Sequence, residues 1–436
     1  MSLLLIFSAS VSVRAAANET VCFGPTPQNA SFMKYKIKLG SGYRNSPTPP
    51  VIYDNYLITV SNGTLYKINK ADGSVESSVK LSGRNFYSLV SPVAADGKIF
   101  VQLDGGIIQA LDFNTLKSLW IYNAPLGGQA LCPIVYDNGF VYTGFWNGET
   151  EKASFICLDA SDTDNKKTAH WTYISDGGFY FVRAVIKEDF IIFGSDNGSD
   201  EASAKGKIIA LNKENGKTAS ALSITGDIRS GIFYDGETDC FYTVSKGGYL
   251  YKFSLDENSG ILHMLSEKSL PGEATSTPAV YNKRLYSVYS KDGKGEFAVF
   301  DAEKMNMIYT CEMNGYCQGD MLVNNYYEKE NGFVYIYASY NSLPGGITLF
   351  KDKENQTSPI KTELFTPPEE FSQYSISPVI CDNEGILYYK NDSGCIFAVC
   401  EENNNLPLFT ILADFFGLIT SLINKIINFC KTGAFI

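Results

Sequence analysis

Residues 91–112 read Ser-Pro-Val-Ala-Ala-Asp-Gly-Lys-Ile-Phe-Val-Gln-Leu-Asp-Gly-Gly-Ile-Ile-Gln-Ala-Leu-Asp. A Pro-led apolar stretch reaches an Asp-Gly turn, an apolar run follows to a second turn at Asp104-Gly105, and an alternating strand ends on Leu111 before Asp112. Asp-Gly and Asn-Gly pairs tolerate positive φ, so they suit tight antiparallel hairpins, and the stretch predicts a β-meander. The same unit returns along the chain. Pro50, Pro92, Pro133, Pro278 and Pro378 each open a short apolar stretch running into Asp or Asn, and Arg183, Gly231 and Asp320 take the Pro place in three degenerate copies. A second register, a large apolar residue before a polar one, recurs at Ile68-Asn69, Leu111-Asp112, Leu158-Asp159, Leu211-Asn212, Phe253-Ser254, Phe300-Asp301 and Phe350-Lys351, with Val399-Cys400 as its eighth copy. Both registers count eight.

A third hairpin follows the second register at Asp72-Gly73, Asn215-Gly216 and Ser259-Gly260. Each unit of about 40–50 residues therefore holds four strands, the size of a propeller blade. The eighth unit runs from Cys400-Glu401-Glu402 into Asn403-Asn404-Asn405 without a fourth strand, while an orphan alternating strand, Phe32 to Leu39, precedes the first unit. We assign that orphan as the missing outer strand, because a ring closed through its ends leaves no long unpaired edge. The expectation is an all-β, eight-bladed propeller over residues 32–401, closed by an N-terminal strand.

Composition narrows the function classes. Lys+Arg number 36 against 47 Asp+Glu, a formal charge of −11, which offers no cationic footprint for nucleic acid. The two histidines, His170 and His263, supply neither an HExxH motif nor a His-ligated cluster. No metal or cofactor is expected from the motifs. Asp159, Asp162 and Asp164 with Asn165, and Asp196, Asn197, Asp200 and Glu201, carry oxygen ligands, but their spacing is not that of an EF-type loop and both sets read as solvated turns. Gly216-Lys217-Thr218 lacks the first Gly of a phosphate loop and reads as a hairpin turn.

The ends differ from the middle. Ser2–Val13 is apolar, and Arg14 and Ala15-Ala16-Ala17 follow, so residues 1–17 read as a signal peptide and 18–31 as a polar, Pro-containing linker. Beyond Glu401, residues 402–436 read as a linker and an amphipathic helix from about Leu408 to Phe429, with Thr410, Asp414, Gly417, Ser421, Asn424 and Asn428 on a narrow polar stripe. Asp414 and Lys425 interrupt the apolar face too often for a span of ~20 residues, which leaves packing on the propeller, contact with a membrane surface, or self-association. Of ten cysteines most sit in apolar strand runs as small core residues, and Cys311 with Cys317, flanking a turn, are the pair placed to bridge.

The Pro-led inner strands, the third strands Gly106–Asp112 and Gly206–Asn212, and the outer-strand pattern from Trp120 to Gly127-Gly128 and from Trp171 to Gly177-Gly178 resemble the pyrroloquinoline-quinone (PQQ) type repeat. The resemblance implies an eight-bladed ring of a superfamily that includes quinoprotein dehydrogenases, an outer-membrane assembly lipoprotein and exported proteins without known chemistry. Fold alone does not choose among them. The dehydrogenase branch implies a vicinal Cys-Cys pair beside its quinone, and this chain has no adjacent cysteines. The lipoprotein branch implies a lipobox, and Glu19-Thr20-Val21 before Cys22 departs from it.

The loops entering the inner strands open onto one end of the ring and carry Tyr43, Arg44, Phe86, Tyr87, Gln129, Tyr180, Arg183, Arg229, Tyr316, Gln318, Asp320 and Tyr374. Tyr and Arg give large contact area with a polar handle, the composition enriched at interfaces. The ligand-binding candidates are Tyr43, Arg44, Tyr87, Gln129, Tyr180, Arg183, Arg229, Gln318 and Tyr374. The expected function is an exported, non-catalytic binding or scaffold module for a protein, peptide or glycan partner. The alternative is a quinone-dependent oxidoreductase using the central funnel. If the rim is not the binding surface, recognition falls to the opposite face or to the long insertions Asn147–Ala153 and Asp196–Lys205.

Overall fold

Asp96 and Gly97 both have positive φ, +48° and +71°, and so do Asn62 and Gly63, +46° and +67°. These pairs therefore form the turn whose twist matches the flanking strands, joining Val93–Ala95 to Lys98–Leu103 and Tyr56–Ser61 to Thr64–Asn69. The computed structural model describes residues 23–85, 90–161, 167–201 and 204–401. The expected signal peptide at 1–17, the expected C-terminal helix, and Phe86, Tyr87, Asp162, Asp164 and Asn165 lie outside the described residues. Within them no helix is long and apolar enough to cross a membrane.

The chain forms eight antiparallel sheets of four strands. Numbered in chain order by their inner strands, the blades begin at Val51, Val93, Val135, Val185, Phe233, Ala279, Leu322 and Ile380. Among the described residues, helix is confined to one turn, Glu328–Asn331, and two short 3-10 turns. The fourth strand of blade 8 is Ser31–Lys38, which pairs with Cys395–Glu401 from Ser31 opposite Glu401 to Lys38 opposite Cys395. In blades 1, 2, 4, 5 and 6 the ladder between third and fourth strands slips at the large apolar residue of the repeat, as at Ala110/Leu111 and Ala210/Leu211. Such a bulge adds local twist.

The core is divided among the interfaces between blades. One cluster joins blades 1 and 2 through Val60, Leu65, Val101 and Leu103, and another joins blades 3 and 4 through Phe155, Phe179, Phe193 and Ile209. A further cluster joins blade 8 to blade 1 through Tyr388, Ile37, Leu57 and Ile68, so apolar contact continues around the ring. Aromatic rings stack across these seams: Phe155 on Phe193 at 4.1 Å and Phe297 on Phe350 at 4.0 Å. Offset stacking of this kind adds about 0.5–1.5 kcal/mol beyond area burial.

Polar staples accompany the apolar seams. Asp352 of blade 7 is fully buried and accepts from Arg284 Nη2 at 2.8 Å, Tyr286 OH at 3.0 Å and Tyr309 OH at 2.8 Å, all on blade 6. Between blades 8 and 1, Asp382 accepts from Tyr388 OH at 3.1 Å and pairs with Lys70 at 3.4 Å.

The expected Cys311–Cys317 bridge is absent. Both are free thiols. Cys311 belongs to the outer strand Met307–Met313 of blade 6. Cys317 lies buried in the connection toward blade 7, where its Sγ sits 3.4 Å from the Gly319 carbonyl. Closeness in sequence put them on different elements. Five of the other cysteines, Cys132, Cys157, Cys240, Cys381 and Cys395, are buried as small core residues. Gly216 is a hairpin turn at φ +70° against the Trp171 ring, and Trp171 Nε1 donates to the Lys213 carbonyl at 2.8 Å.

Candidate functional site

The connections from fourth to first strands and the hairpins between second and third strands share one end of the ring, because strands alternate in direction. On blades 3, 4 and 5 this rim is built from ions. Arg229, in the connection into blade 5, donates through Nε to Asp196 Oδ1 at 2.8 Å and through Nη2 to Asp196 Oδ2 at 3.1 Å. The same Nη2 reaches Glu149 Oε1 at 2.5 Å, and Lys246 Nζ reaches that oxygen at 3.1 Å. Trp146 Nε1 donates to Asp196 Oδ2 at 2.8 Å. The guanidinium lies 4.8 Å from the centre of the Tyr180 ring, which meets Trp146 edge-on at 5.5 Å. Bidentate geometry and a stacked face are what distinguish Arg from Lys at such a place.

Two glycines show why this corner is shaped as it is. A Cβ on Gly177 would fall 2.3 Å from the Asp196 carbonyl oxygen, and one on Gly178 would fall 2.5 Å from the Trp146 ring. The Gly-Gly pair after the outer-strand Trp171 therefore lets the Asp196 turn and Trp146 press onto the chain. Asp227, beside Arg229, accepts from the Asn197 N–H at 2.7 Å and so ties the blade 4 turn to the same connection.

Burial pushes the Asp196 carboxyl up to about 6, against the pull of Arg229, and also raises Asp227. Burial pushes Glu149 up as well, but Lys246 and Arg229 more than offset it and its carboxyl ends below the usual range. Arg229 loses hydration, yet Asp196 and Glu149 hold it above its ordinary value. Each carboxylate is engaged by cationic or N–H donors, so the arrangement fixes a guanidinium and two aromatic rings in place.

The other predicted residues are distributed around the ring. Gln129 is half-buried and pairs through its backbone with Trp146, N to O at 2.8 Å, which brings it beside the same corner. Arg183, leading into blade 4, pairs with Asp320, leading into blade 7, at 2.8 Å. This pair borders a cavity of about 190 Å³ between inner strands, lined also by Phe23, Phe233, Thr277 and Leu322. Tyr316 hydrogen-bonds Thr275 through its hydroxyl, and burial pushes that hydroxyl up to about 12. Gln318 is half-buried in the same connection. Tyr43, Arg44 and Tyr374 are exposed, Tyr43 at 49% and Tyr374 at 47%, on blades 1 and 8 away from the ionic corner. Tyr180, Arg229 and Gln129 thus come together, while Tyr43, Arg44 and Tyr374 form a separate stretch of rim. Glu149, Lys246 and Asp196 complete the corner without having been singled out as binding residues. Glu149 and Asp196 fall in the long insertions Asn147–Ala153 and Asp196–Lys205, whereas Lys246 had no sequence signal.

His170 bonds the Glu214 carbonyl at an exposed site, and His263 is exposed on an outer strand. Among the described residues no group of three His, Cys, Asp or Glu is placed to hold a metal.

The family model for outer membrane protein assembly factor BamB matches residues 26–149. Over those residues the repeat is similar to the PQQ type. A curated relative, the outer membrane protein assembly factor BamB of Moranella endobia (strain PCIT), is 25% identical over 247 residues, covering 53% of this chain and 56% of the relative. The match thus spans little more than half of that relative's length. Among solved structures, BamB from Moraxella catarrhalis superposes with a TM-score of 0.60 at 13% identity, covering 85% of this chain and 100% of that one. A quinohemoprotein alcohol dehydrogenase from Comamonas testosteroni superposes with a TM-score of 0.64 at 12% identity, covering 86% and 78%. At these identities the superpositions establish the shared fold.

Proposed function

We propose that this PQQ-type propeller is a non-catalytic binding module of the cell envelope that presents the ionic corner of blades 3 to 5 to a protein partner. The observation that carries the reading is Arg229, fixed by Asp196 and Glu149 and stacked on Tyr180. Prearranged Arg and aromatic side chains concentrate binding energy, since little conformational entropy is left to lose on docking. The matched relative is an outer membrane protein assembly factor, which supports components of such an assembly apparatus as the partner class. In this reading residues 1–17 direct export, residues 18–31 lead into the ring, the strand Ser31–Lys38 closes it, and the C-terminal helix lies against membrane, partner or propeller. The exposed residues Tyr43, Arg44 and Tyr374 extend the contact surface along the rim.

A photo-crosslinking residue placed at position 180 or 246 in the full chain, expressed in its envelope, tests this. The expected result is adducts with outer-membrane assembly proteins that disappear on Glu149→Ala or Arg229→Ala, while position 261, at the other end of the ring, gives none. Equal labelling from positions 180 and 261 overturns the assignment of the rim.

A further inference from the structure

The segment ahead of the closing strand, Gly24-Pro25-Thr26-Pro27-Gln28, lies against blade 7 at the end of the ring opposite the ionic corner, with Gly24, Thr26 and Pro27 buried. Asn324 Nδ2 donates to the Gly24 carbonyl at 3.2 Å and to Thr26 Oγ1 at 2.6 Å. Tyr327 OH donates to the Thr26 carbonyl at 3.0 Å, and Tyr337 OH to the Pro27 carbonyl at 2.9 Å. Thr26 Oγ1 lies 2.7 Å from Tyr337 OH, so the threonine hydroxyl donates to Tyr337 while accepting from Asn324. Tyr335 OH donates to Gln28 Oε1 at 3.0 Å, and the Gln28 N–H donates to Glu401 Oε2 at 2.6 Å.

The pattern reads the sequence of the segment position by position. Proline has no N–H, and side chains of blade 7 supply donors to three of the segment's carbonyls, those of Gly24, Thr26 and Pro27. The Thr26 N–H is met within the segment by the Gly24 carbonyl at 2.8 Å. Gly24 has no room for a side chain, since a Cβ would fall 2.3 Å from the Asn383 carbonyl oxygen. Gly385 leaves room for Pro25 in turn, because a Cβ there would fall 2.5 Å from the Pro25 carbonyl. Aromatic-lined grooves that bind proline-bearing chains are a recurring mode of peptide recognition, favoured by the restricted backbone of such peptides.

We propose that the groove formed by Asn324, Tyr327, Tyr335 and Tyr337, with the blade 8 turn at Asn383–Gly385, is a peptide-recognition site for a Gly-Pro-Thr-Pro-Gln segment turned at its first proline, and that this chain's own residues 24–28 are an exchangeable ligand held there in cis. The assignment is independent of the rim. A segment tethered next to its site binds at high effective concentration and so competes strongly with the same peptide in solution.

The test uses the full chain and a fluorescent peptide of residues 23–30. A full-length Thr26→Ala/Pro27→Gly variant, with its own ligand weakened, should bind the peptide about tenfold more tightly than the unaltered chain. Adding Tyr337→Phe to that variant should weaken binding about fivefold. Failure of the folded double variant to bind the peptide overturns the proposal. Should the double variant not fold, hydrogen exchange on the unaltered chain decides: residues 24–28 should exchange through local opening, faster in Tyr337→Phe while the blade strands keep their rates. Exchange of these residues only on global unfolding also overturns it.

Discussion

Arg229 and Asp196 clamp the connection into blade 5 to the long turn of blade 4 with two hydrogen bonds, 2.8 and 3.1 Å long. The carboxylate lies fully buried beneath the guanidinium, and Trp146 of blade 3 donates to the same oxygen from the other side. Three blades thereby meet at one side chain, which makes the corner a structural tie.

Because burial raises the Asp196 carboxyl from 3.8 to about 6, the folded chain holds its proton over a range where the unfolded chain has lost it. The contribution to stability is full below pH 3.8 and is lost as the pH rises through about 6. Asp196→Asn, which keeps an acceptor for Trp146, should remove this dependence. Urea unfolding of both proteins should show the wild type losing stability relative to the variant between pH 4 and pH 6.5, by on the order of 2–3 kcal/mol.

Asp352 is the corresponding tie between blades 6 and 7, with Arg284 and two tyrosines around it. Asp352→Ala leaves the Arg284 charge buried without its counter-ion, a change expected to cost about 3–5 kcal/mol. Replacing both by apolar residues of similar volume should cost much less. Chemical denaturation of the single and double variants checks the contrast.

The repeat was legible because its register rests on local chemistry: Pro50, Pro92 and Pro133 open inner strands, and the turns at Asn62-Gly63 and Asp96-Gly97 have the positive φ their residues favour. The orphan strand read as Phe32–Leu39 is the strand Ser31–Lys38, shifted by one residue. Arg229 could be singled out from its place before an inner strand, but Glu149 and Lys246 lie 80 and 17 residues from it in sequence and no local pattern links them. Residues 24–28 look like a linker by composition, since Pro and Gly mark loops. Their burial is decided by Tyr337, more than 300 residues away. The Cys311–Cys317 expectation failed for the converse reason, that sequence proximity does not set geometry.

Ile37 anchors the closing strand. It is 6% exposed and packs with Leu57, Ile68 and Tyr388 across the seam between blades 8 and 1. Ile37→Ala should cost about 2–5 kcal/mol, whereas Phe32→Ala, on the same strand but exposed, should stay within about 0.5 kcal/mol. An equal, small effect of both in thermal unfolding would mean that the strand contributes little to holding the ring shut.

Lys390, at the end of the second strand of blade 8, is 2% exposed, and burial pulls its ammonium down to about 8 against the opposing field of Asp392. The unfolded chain binds this proton up to its ordinary value of 10.5, so stability rises as the pH increases from 8 to 10.5. Lys390→Met should raise stability at pH 7, by on the order of 2–3 kcal/mol, and flatten that rise. Guanidinium denaturation at pH 7 and pH 10 measures both effects.

Tyr43 and Tyr374 separate recognition from packing on the rim, because roughly half of each side chain is open to solvent. Exposed loop positions rarely exceed about 0.5 kcal/mol in folding energy, whereas an aromatic residue buried at an interface contributes 2 kcal/mol or more to binding. If blades 8 and 1 belong to the partner surface, Tyr43→Ala and Tyr374→Ala should each leave the melting temperature unchanged while weakening binding to the crosslinked partner about 30-fold. If they leave both unchanged while Tyr180→Ala weakens binding, the contact is confined to the ionic corner of blades 3 to 5. A loss of several kcal/mol in stability would make the two tyrosines caps on the core, which their exposure argues against. Isothermal titration and differential scanning calorimetry on the same protein preparations distinguish these outcomes.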